Sequence, residues 1–319
     1  MSAANADPAG PAILPMGEDA LGRALNELTA GHPVAVPTET VYGLAARADS
    51  DSAVAAIYAA KGRPSFNPLI VHVADSEAAS TIAQFNTRAQ RLAERFWPGP
   101  LTMVLPRRPD APLADAVTAG LPTVAIRCPA HPAMQALLRL CPFPLAAPSA
   151  NRSGAISPST AQHVAQSLRG RIGLVIDGGA TQQGIESTIV ALDPQGWRIL
   201  RPGPIDAQAL EQILGTAPTS AKTDGSIEAP GQLASHYAPG KPVRLDARGA
   251  QADEYHIGFG PVRGDITLSE SGDLFEAAAR LYACLHHAAE SAQPRIAVAP
   301  VPRTGIGAAI NDRLSRAAA

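Results

Sequence analysis

The sequence predicts an α/β fold built as two units. Apolar strand patterns and amphipathic helix patterns alternate along most of the 319 residues, which is typical of layered α/β domains. The β segments are short apolar runs without strict alternation, as expected for strands covered on both faces. The composition changes over residues 215–235, which are rich in Thr, Ser, Ala, Pro and Gly, so this stretch is predicted to link two units.

The first unit opens with a helix and a strand. Leu21, Ala24 and Leu28 share one helical face, and Gly31 is a suitable stop. A buried strand over 33–36 follows, and Ser52 is predicted to cap the next helix. Further strands are predicted at 69–73, 101–105, 123–127, 145–147, 173–176, 187–191 and 197–200, and further helices at 76–96 (two short ones), 131–140, 158–168 and 206–214.

The resulting domain plan has four parts. We expect a disordered tail over 1–16, a ligand-binding domain over 17–214, a linker over 215–241 and a small domain over 242–319. In the small domain, strands are predicted at 242–245, 255–259 and 295–299, and helices at 273–289 and 304–317.

Composition excludes several classes of protein. The formal net charge is −2 and aromatic residues make up 4%, which argues against an overall basic nucleic-acid coat. Three scattered cysteines form neither a disulfide framework nor a CxxC zinc site. No apolar run approaches a membrane span and the first residues lack a signal-peptide pattern, so a cytoplasmic location is predicted.

Four polar loops follow predicted strands or helices, where α/β sheets usually bind ligands. They are 37–44 (PTETVYGL), 61–69 (KGRPSFNPL), 148–154 (PSANRSG) and 178–203, which contains GIEST and ends in RPG. Cations and hydroxyls dominate these loops, which suits an anionic ligand and catalysis by positioning and charge neutralisation. Neither a Walker A loop nor a GxSxG nucleophile elbow is present.

Each loop also has a purely structural interpretation. Hydroxyls in 37–44 could bond to the local backbone, and loop 148–154 could cap a helix. Lys61 could complement its helix dipole, His72 could be a structural residue in a strand, and Arg201 could be a surface charge. Only three of the 26 basic residues are lysines, and a lysine in such an arginine-rich chain slightly favours a functional role for Lys61.

In this order the motifs resemble the Sua5/YrdC family of threonylcarbamoyl-AMP synthases. The resemblance adds KGRPSFNPLIVHV (61–73) and GIESTIV (184–190), and for the longer Sua5 form APGQLASHYAPGKPV (229–243) and PRTGIGAAINDRLSRAA (302–318). It implies a YrdC-like twisted mixed-sheet domain with a ligand cleft, followed by a small Rossmann-like domain. Family linkers often carry basic residues before the His-Tyr pair, whereas this chain has Gln232 and its neighbours there.

The resemblance also implies site residues. By it, Lys61 and Arg63 are the catalytic cations. The residues expected to bind ATP are Lys61, Arg63, Asn67, Thr123, Ser149, Asn151, Ser159, Arg201, His236 and Tyr237. Those expected to contact threonine are Thr40, Tyr42, His72, Arg127 and Ser187. The linker is expected to act as a lid, and Mg²⁺ is expected to arrive with ATP, held mainly by the phosphates rather than by protein side chains.

The implied reaction converts L-threonine, bicarbonate or CO2 and ATP to threonylcarbamoyl-AMP and pyrophosphate. A separate transferase complex would then modify adenosine 37 of tRNA, with weak or no direct tRNA binding and no membrane partner. Three alternatives stay open: an RNA-binding module, a carbamoyl-transfer maturation enzyme and a sensor that binds without turnover. The second normally carries zinc-type cysteine clusters, which this sequence lacks.

Overall fold

The computed structural model describes residues 10–193, 196–219, 227–232 and 235–319. Within these residues a mixed ten-stranded sheet has the order β1-β8-β2-β3-β7-β4-β6-β5-β9-β10. Its strands are β1 (Ala12–Pro15), β2 (Val34–Val36), β3 (Gly43–Arg47), β4 (Ile70–His72), β5 (Leu101–Pro106), β6 (Thr123–Arg127), β7 (Leu145–Ala146), β8 (Leu174–Asp177), β9 (Thr188–Asp193) and β10 (Gly196–Arg201).

Helices cover the sheet. They are α1 (Glu18–Thr29), α2 (Asp51–Lys61), α3 (Ser76–Ser80), α4 (Thr87–Phe96), α5 (Asp115–Thr118), α6 (Pro132–Leu140), α7 (Ala161–Ser167) and α8 (Ala207–Leu214). Several begin at a side chain that accepts a hydrogen bond from the first turn, as Ser50, Asp75 and Asp206 do. Buried aliphatic side chains from the helices and both sheet faces form the core.

A second, smaller unit contains a parallel sheet of order β11-β14-β12-β13. Its strands are β11 (Val243–Arg244), β12 (Glu254–Gly258), β13 (Ile266–Thr267) and β14 (Arg295–Val298), and its helices are α9 (Leu274–Glu290) and α10 (Gly307–Ala317). The predicted fold class is therefore confirmed: a large mixed-sheet unit is followed by a small α/β unit with a parallel sheet.

Helix α9 packs directly on the large unit at Gly184. A Cβ placed on Gly184 would lie 2.4 Å from backbone atoms of Ala278 and Ala279, and the residue has φ +67°. Only glycine accommodates both the close approach and the left-handed backbone. Ile156 and Ile185 of the large unit also belong to the same buried cluster as Leu281 of α9. The two units thus share one apolar interface.

Two sequence predictions are corrected. The expected disordered tail over 1–16 is wrong for β1, because residues 12–15 pair in parallel with β8 at the sheet edge; residues 1–9 lie outside the described part. The cap of α2 is Ser50 rather than Ser52, since the Ser50 side chain accepts the hydrogen bond from the Ala53 amide. No helix in the described ranges is long and apolar enough to cross a membrane.

Candidate functional site

A cleft opens where β4 and β6 end side by side. The last residues of these parallel strands, His72 and Arg127, are register partners. Loops from other parts of the chain converge on this end of the sheet. The cleft is lined by Thr40, Val41, Arg63, Ile70, His72, Arg127, Ala147, Pro148, Ser149, Glu186, Arg201, Pro230, Gly231, His236 and Tyr237. Residues from all four predicted loops and from the linker are thus brought together.

Arg127 is held in the floor of the cleft by three contacts. Its Nη2 donates to Glu39 Oε1 at 2.6 Å, its Nη1 to Thr40 Oγ1 at 3.0 Å and its Nε to the Gly99 carbonyl at 3.2 Å. The other oxygen of Glu39 accepts from the Ala130 amide. A guanidinium has five N–H donors, so two remain for an anionic ligand. Glu39 therefore fixes the direction in which this fork points.

The turn after β2 contains both local and cleft-facing hydroxyls. Thr38 Oγ1 donates to the Val41 carbonyl at 2.6 Å and lies 2.8 Å from Thr40 Oγ1. The structural interpretation of this loop is thus confirmed for Thr38, whose hydroxyl holds the turn. Thr40 lies in the cleft lining beside Arg127.

Lys61 joins two of the predicted loops. Its Nζ donates to the carbonyls of Ser149 at 2.5 Å and Asn151 at 2.6 Å, and its side chain is buried. Burial lowers the pKa of this ammonium well below its usual value, and the nearby Arg63 lowers it further. Through these two hydrogen bonds the Lys61 side chain holds the loop at 148–154, beyond its own helix terminus. That loop does not cap a helix, since α7 is capped by Thr160.

Arg63 holds its own loop in shape while lining the cleft. Its Nε donates to the Asn67 carbonyl at 3.2 Å and its Nη2 to the Pro68 carbonyl at 2.9 Å. Burial lowers its pKa to about 10, so the guanidinium stays charged near neutral pH. A fixed positive charge of this kind suits a phosphate group.

Arg201 is buried, so its interpretation as a surface charge is wrong. It donates from Nε and Nη2 to the Ser187 carbonyl at 3.1 and 3.0 Å, and from Nη2 to the Ser187 hydroxyl at 3.1 Å. That hydroxyl also lies 2.7 Å from Thr102 Oγ1 on β5. Ser187 thus supports the cleft wall from behind Arg201.

Described linker residues close the cleft. A Cβ on Gly231 would lie 2.7 Å from Arg201 Cδ, and the rings of His236 and Tyr237 meet edge-on at 4.1 Å. Tyr237 has φ +64°, a strained backbone conformation of the kind that occurs at functional sites. Burial lowers the pKa of His236 to about 3, so the ring is neutral. The cavity that remains has a volume of about 40 Å³.

Gln232 takes a structural position in the linker. Its Oε1 accepts from the amides of Glu228 and Ala229 at 2.8 and 3.0 Å, which closes the turn before the cleft. Glu228 in turn forms a bidentate pair with Arg198 of β10, with both distances 2.9 Å. The linker is thus anchored on the large domain without the basic residues expected there.

One buried polar atom without a hydrogen-bond partner, His236 Nδ1, belongs to the cleft lining. Five such side-chain atoms occur in the described ranges, and three belong to residues predicted to bind ATP: Asn67 Oδ1, Asn151 Oδ1 and His236 Nδ1. Most buried polar groups are paired, so each exception asks for an explanation. A polar ligand would supply the missing partners.

Seven predicted site residues lie outside the cleft lining: Tyr42, Lys61, Asn67, Thr123, Asn151, Ser159 and Ser187. Tyr42 is fully buried and its hydroxyl donates to the Gly179 carbonyl at 2.7 Å. Thr123 lies at the opposite end of β6 from Arg127. Ser159 is buried and its hydroxyl lies 3.3 Å from His163 Nδ1. Their predicted ligand contacts stay predictions.

Sequence reasoning assigned no role to Glu186, although it lies within the GIESTIV motif. Glu186 belongs to the cleft lining, and its carboxylate is paired with Arg313 of α10. Arg313 is one turn from Ala309 and Ala317 on the buried face of α10. A charge on an apolar helical face was the available signal for this pair.

Fold and site together define a two-domain α/β protein with a cationic cleft closed by the segment between its domains. A family model described as "Telomere recombination", covering Sua5, YciO and YrdC proteins, matches residues 26–203. A second, described as "Threonylcarbamoyl-AMP synthase, C-terminal domain", matches residues 205–319. The chain is 42% identical to the threonylcarbamoyl-AMP synthase of Bacillus subtilis over 309 residues, covering 89% of each chain.

Solved structures agree with this assignment. The structure of Pyrococcus abyssi Sua5 complexed with L-threonine superposes with a TM-score of 0.88 at 35% identity, covering 96% of this chain and 97% of that one. Escherichia coli YciO shares the fold of the large domain, with a TM-score of 0.56 at 20% identity over 63% of this chain. The chain belongs to the Sua5/YrdC family of threonylcarbamoyl-AMP synthases, in the two-domain Sua5 form.

Proposed function

We propose that this protein makes L-threonylcarbamoyl-AMP from L-threonine, bicarbonate or CO2 and ATP, with release of pyrophosphate. One observation carries the proposal: the cleft gathers three guanidinium groups, those of Arg63, Arg127 and Arg201, with the hydroxyls of Thr40 and Ser149. The related Pyrococcus abyssi protein is described as complexed with L-threonine, which supports threonine as one substrate.

Arg127 is suited to the threonine carboxylate. Two of its N–H donors are uncommitted, and charge-assisted bonds to a carboxylate are about twice as strong as neutral ones. Thr40 and His72 border the same floor. Burial, and then the charge of Arg127, lower the pKa of His72 to about 3, so its ring is neutral and adds no competing cation. Hydroxyl groups here would select threonine over analogues that lack its hydroxyl.

Arg63, Lys61 and Arg201 are suited to the triphosphate. In the proposed step the deprotonated threonine amine adds to CO2, and a carbamate oxygen attacks the α-phosphorus. A new P–O bond forms, the bond to the β-phosphate breaks, and pyrophosphate leaves with the electron pair. Fixed cations stabilise the charge that develops on the phosphates, and no side chain forms a covalent bond.

We propose that magnesium arrives with ATP and is held mainly by the phosphates. Glu39 and Glu186 are committed to arginines, whereas Asn67 Oδ1 and Asn151 Oδ1 are unpartnered oxygens of the type magnesium accepts. Magnesium would neutralise phosphate charge there.

Substrate entry requires the linker to withdraw. A cavity of about 40 Å³ is far below the ~300 Å³ of the smaller ligand sites. Pro230, Gly231, His236 and Tyr237 occupy the mouth of the cleft. Their return after binding would exclude water, which protects a carbamate and a mixed anhydride from hydrolysis. The product would then pass to a separate complex that modifies adenosine 37 of tRNA.

Pyrophosphate release tests this function. Purified protein is mixed with Mg-ATP and bicarbonate, with L-threonine, with L-serine or with no amino acid. We expect release that requires both threonine and bicarbonate, with serine a poorer substrate. Release that is unchanged without threonine would overturn the proposal, and binding of both ligands without release would favour the sensor alternative.

A further inference from the structure

Glu186 is the acidic residue among the described residues that line the cleft, where the other charged residues are Arg63, Arg127 and Arg201. It accepts hydrogen bonds from Ser157 Oγ at 2.6 Å, from the Tyr282 hydroxyl at 3.0 and 2.8 Å, and from Arg313 Nε at 2.8 Å. Burial would raise its pKa, but Arg313 and then Arg201 lower it to about 2. The group is therefore ionised at neutral pH.

The hydrogen-bond partners of the Glu186 carboxylate come from both domains. Ser157 belongs to the large domain, whereas Tyr282 lies on α9 and Arg313 on α10 of the small domain. Arg313 has no solvent exposure, and its Nη2 also donates to the Pro202 carbonyl at 3.0 Å, next to Arg201. The small domain thus supplies Arg313, the cation that pairs with Glu186 of the cleft lining.

The same groups hold the closing linker. The ring of Tyr237 stacks on that of Tyr282 at 5.6 Å, and the Arg313 guanidinium lies 5.4 Å from the centroid of the Tyr237 ring. The backbone amide of His236 donates to the Arg316 carbonyl on α10 at 3.2 Å. A single face of the small domain therefore touches both Glu186 and the His-Tyr pair.

Without a cationic partner, the negative charge of Glu186 would repel a polyphosphate bound in the cleft. Two unit charges of like sign about 6 Å apart repel appreciably at the effective dielectric of a protein site. Ser157 and Tyr282 add hydrogen bonds but no charge, so Arg313 is the cation that the small domain contributes to Glu186. Arg313 Nη1 also donates to Asp312 at 2.7 Å, and Asp312 is itself paired with Arg316, so the four charges balance. The pairing neutralises the negative charge of Glu186, so that a phosphate group can bind nearby.

We infer that Arg313 is a positioning residue of the synthase reaction: by pairing with Glu186 it lets the cleft accept the triphosphate, so the small domain is part of the ATP site. The inference rests on the proposed function. It predicts a dependence on ATP rather than on threonine, because Arg127 and Glu39 at the cleft floor are untouched by this pair.

The test compares R313Q, E186Q/R313Q and R303Q for the affinity of Mg-ATP by calorimetry and for KM with ATP and with threonine. Arg303 is an exposed arginine of the same domain and is the matched control. We expect R313Q to weaken ATP binding about tenfold while KM for threonine changes less than about twofold. Removing the acid as well should restore ATP affinity to within about threefold of wild type.

An interdomain latch without an electrostatic role predicts the opposite pattern. E186Q/R313Q would then bind ATP no better than R313Q, and that result overturns the inference. If R313Q does not fold, E186Q alone replaces it, since the amide keeps the shape of the carboxylate and removes the negative charge that Arg313 neutralises. E186Q should then bind ATP at least as tightly as wild type, whereas a tenfold loss of ATP affinity in a folded E186Q would overturn the inference.

The two proposals fail separately. If wild-type protein releases no pyrophosphate with threonine and bicarbonate, the proposed function fails. The calorimetric comparison of ATP affinity does not depend on turnover, so it still decides the role of Arg313.

Discussion

Lys61 Nζ donates a hydrogen bond to the main-chain carbonyl of Asn151 at 2.6 Å, across 90 residues of sequence. With its second bond, to the Ser149 carbonyl, it ties the loop at 61–69 to the loop at 148–154. An ammonium has three N–H donors, and we propose that the third binds a substrate phosphate. A compact cation fits this position, where the planar fork of arginine would not.

Replacing this lysine should damage catalysis specifically. We expect K61M to lower kcat/KM for ATP by about 100-fold or more, since it removes a fixed charge from the phosphate site. K241M is the matched control, because Lys241 Nζ also donates to two main-chain carbonyls but in the small domain, away from the cleft. Steady-state pyrophosphate release measures both variants. Equal activities of K61M and K241M would contradict the assignment.

Glu39 should matter for threonine rather than ATP. Its carboxylate fixes the Arg127 fork, so E39Q should raise KM for threonine about tenfold and leave KM for ATP within about twofold. D49N is the control, since Asp49 pairs with Arg47 away from the cleft. Initial rates at varied threonine and ATP separate the two constants. A parallel rise of both would show that Glu39 merely supports the fold.

The close approach of Gly231 to Arg201 makes a sharp steric prediction. G231A adds a Cβ 2.7 Å from Arg201 Cδ at a residue with φ +87°, so the linker should fail to seat on the cleft. G240A is the matched control, with φ +76° and no atom within 4 Å. Both share the backbone penalty of about 1 kcal/mol, but G231A alone should lose about tenfold or more in kcat. Equal kcat values for G231A and G240A would contradict a role of the Gly231–Arg201 contact in catalysis.

Stability should fall at mildly acidic pH. Burial lowers the pKa values of His72, His163 and His236 to about 3, 4 and 3, with Arg127 adding to the effect at His72 and His286 at His163. In the unfolded chain these residues titrate near ~6.5. Between these values the unfolded chain binds more protons, so the free energy of unfolding decreases as pH falls below about 6.5.

The number of protons taken up on unfolding sets how steeply the free energy of unfolding depends on pH. Three protons taken up only on unfolding correspond to a slope of ~4 kcal/mol per pH unit. Burial also lowers the pKa values of His131 and His286, which act in the same direction. Glu186, whose pKa is lowered to about 2, acts in the same direction below ~4.5. Urea denaturation at pH 5 and 7 measures the difference in the free energy of unfolding, and H163Q should reduce that difference. A free energy of unfolding that does not change between these pH values would contradict the neutral, buried histidines.

The sequence predicted most elements and the meeting of the four loops, because apolar runs and capping residues are local signals. β1 was missed because its apolar run, Ala12–Pro15, is only four residues long, ends in proline and is mostly exposed at a sheet edge. Ser50 and Ser52 are equally good caps in sequence, and their hydroxyls lie 3.1 Å apart, so only the structure selects Ser50.

The pair of Glu186 and Arg313 illustrates what sequence could not supply. The two residues are 127 positions apart and belong to different domains. The sequence motifs that contain the two residues could be recognised separately. No local sequence pattern, however, predicts that a carboxylate in a loop contacts a guanidinium on a distant helix. Their contact depends on how α9 seats against Gly184, which is a property of the packed interface.

The identity of the product tests the central claim most directly. The protein is incubated with Mg-ATP, L-threonine and ¹³C-bicarbonate, and the nucleotide products are separated and weighed by mass spectrometry. The account predicts threonylcarbamoyl-AMP that carries one ¹³C in its carbamoyl group and forms together with pyrophosphate. An adenylate of threonine without the label would show that the carboxylate, not the carbamate, attacks the α-phosphorus, and would contradict the account.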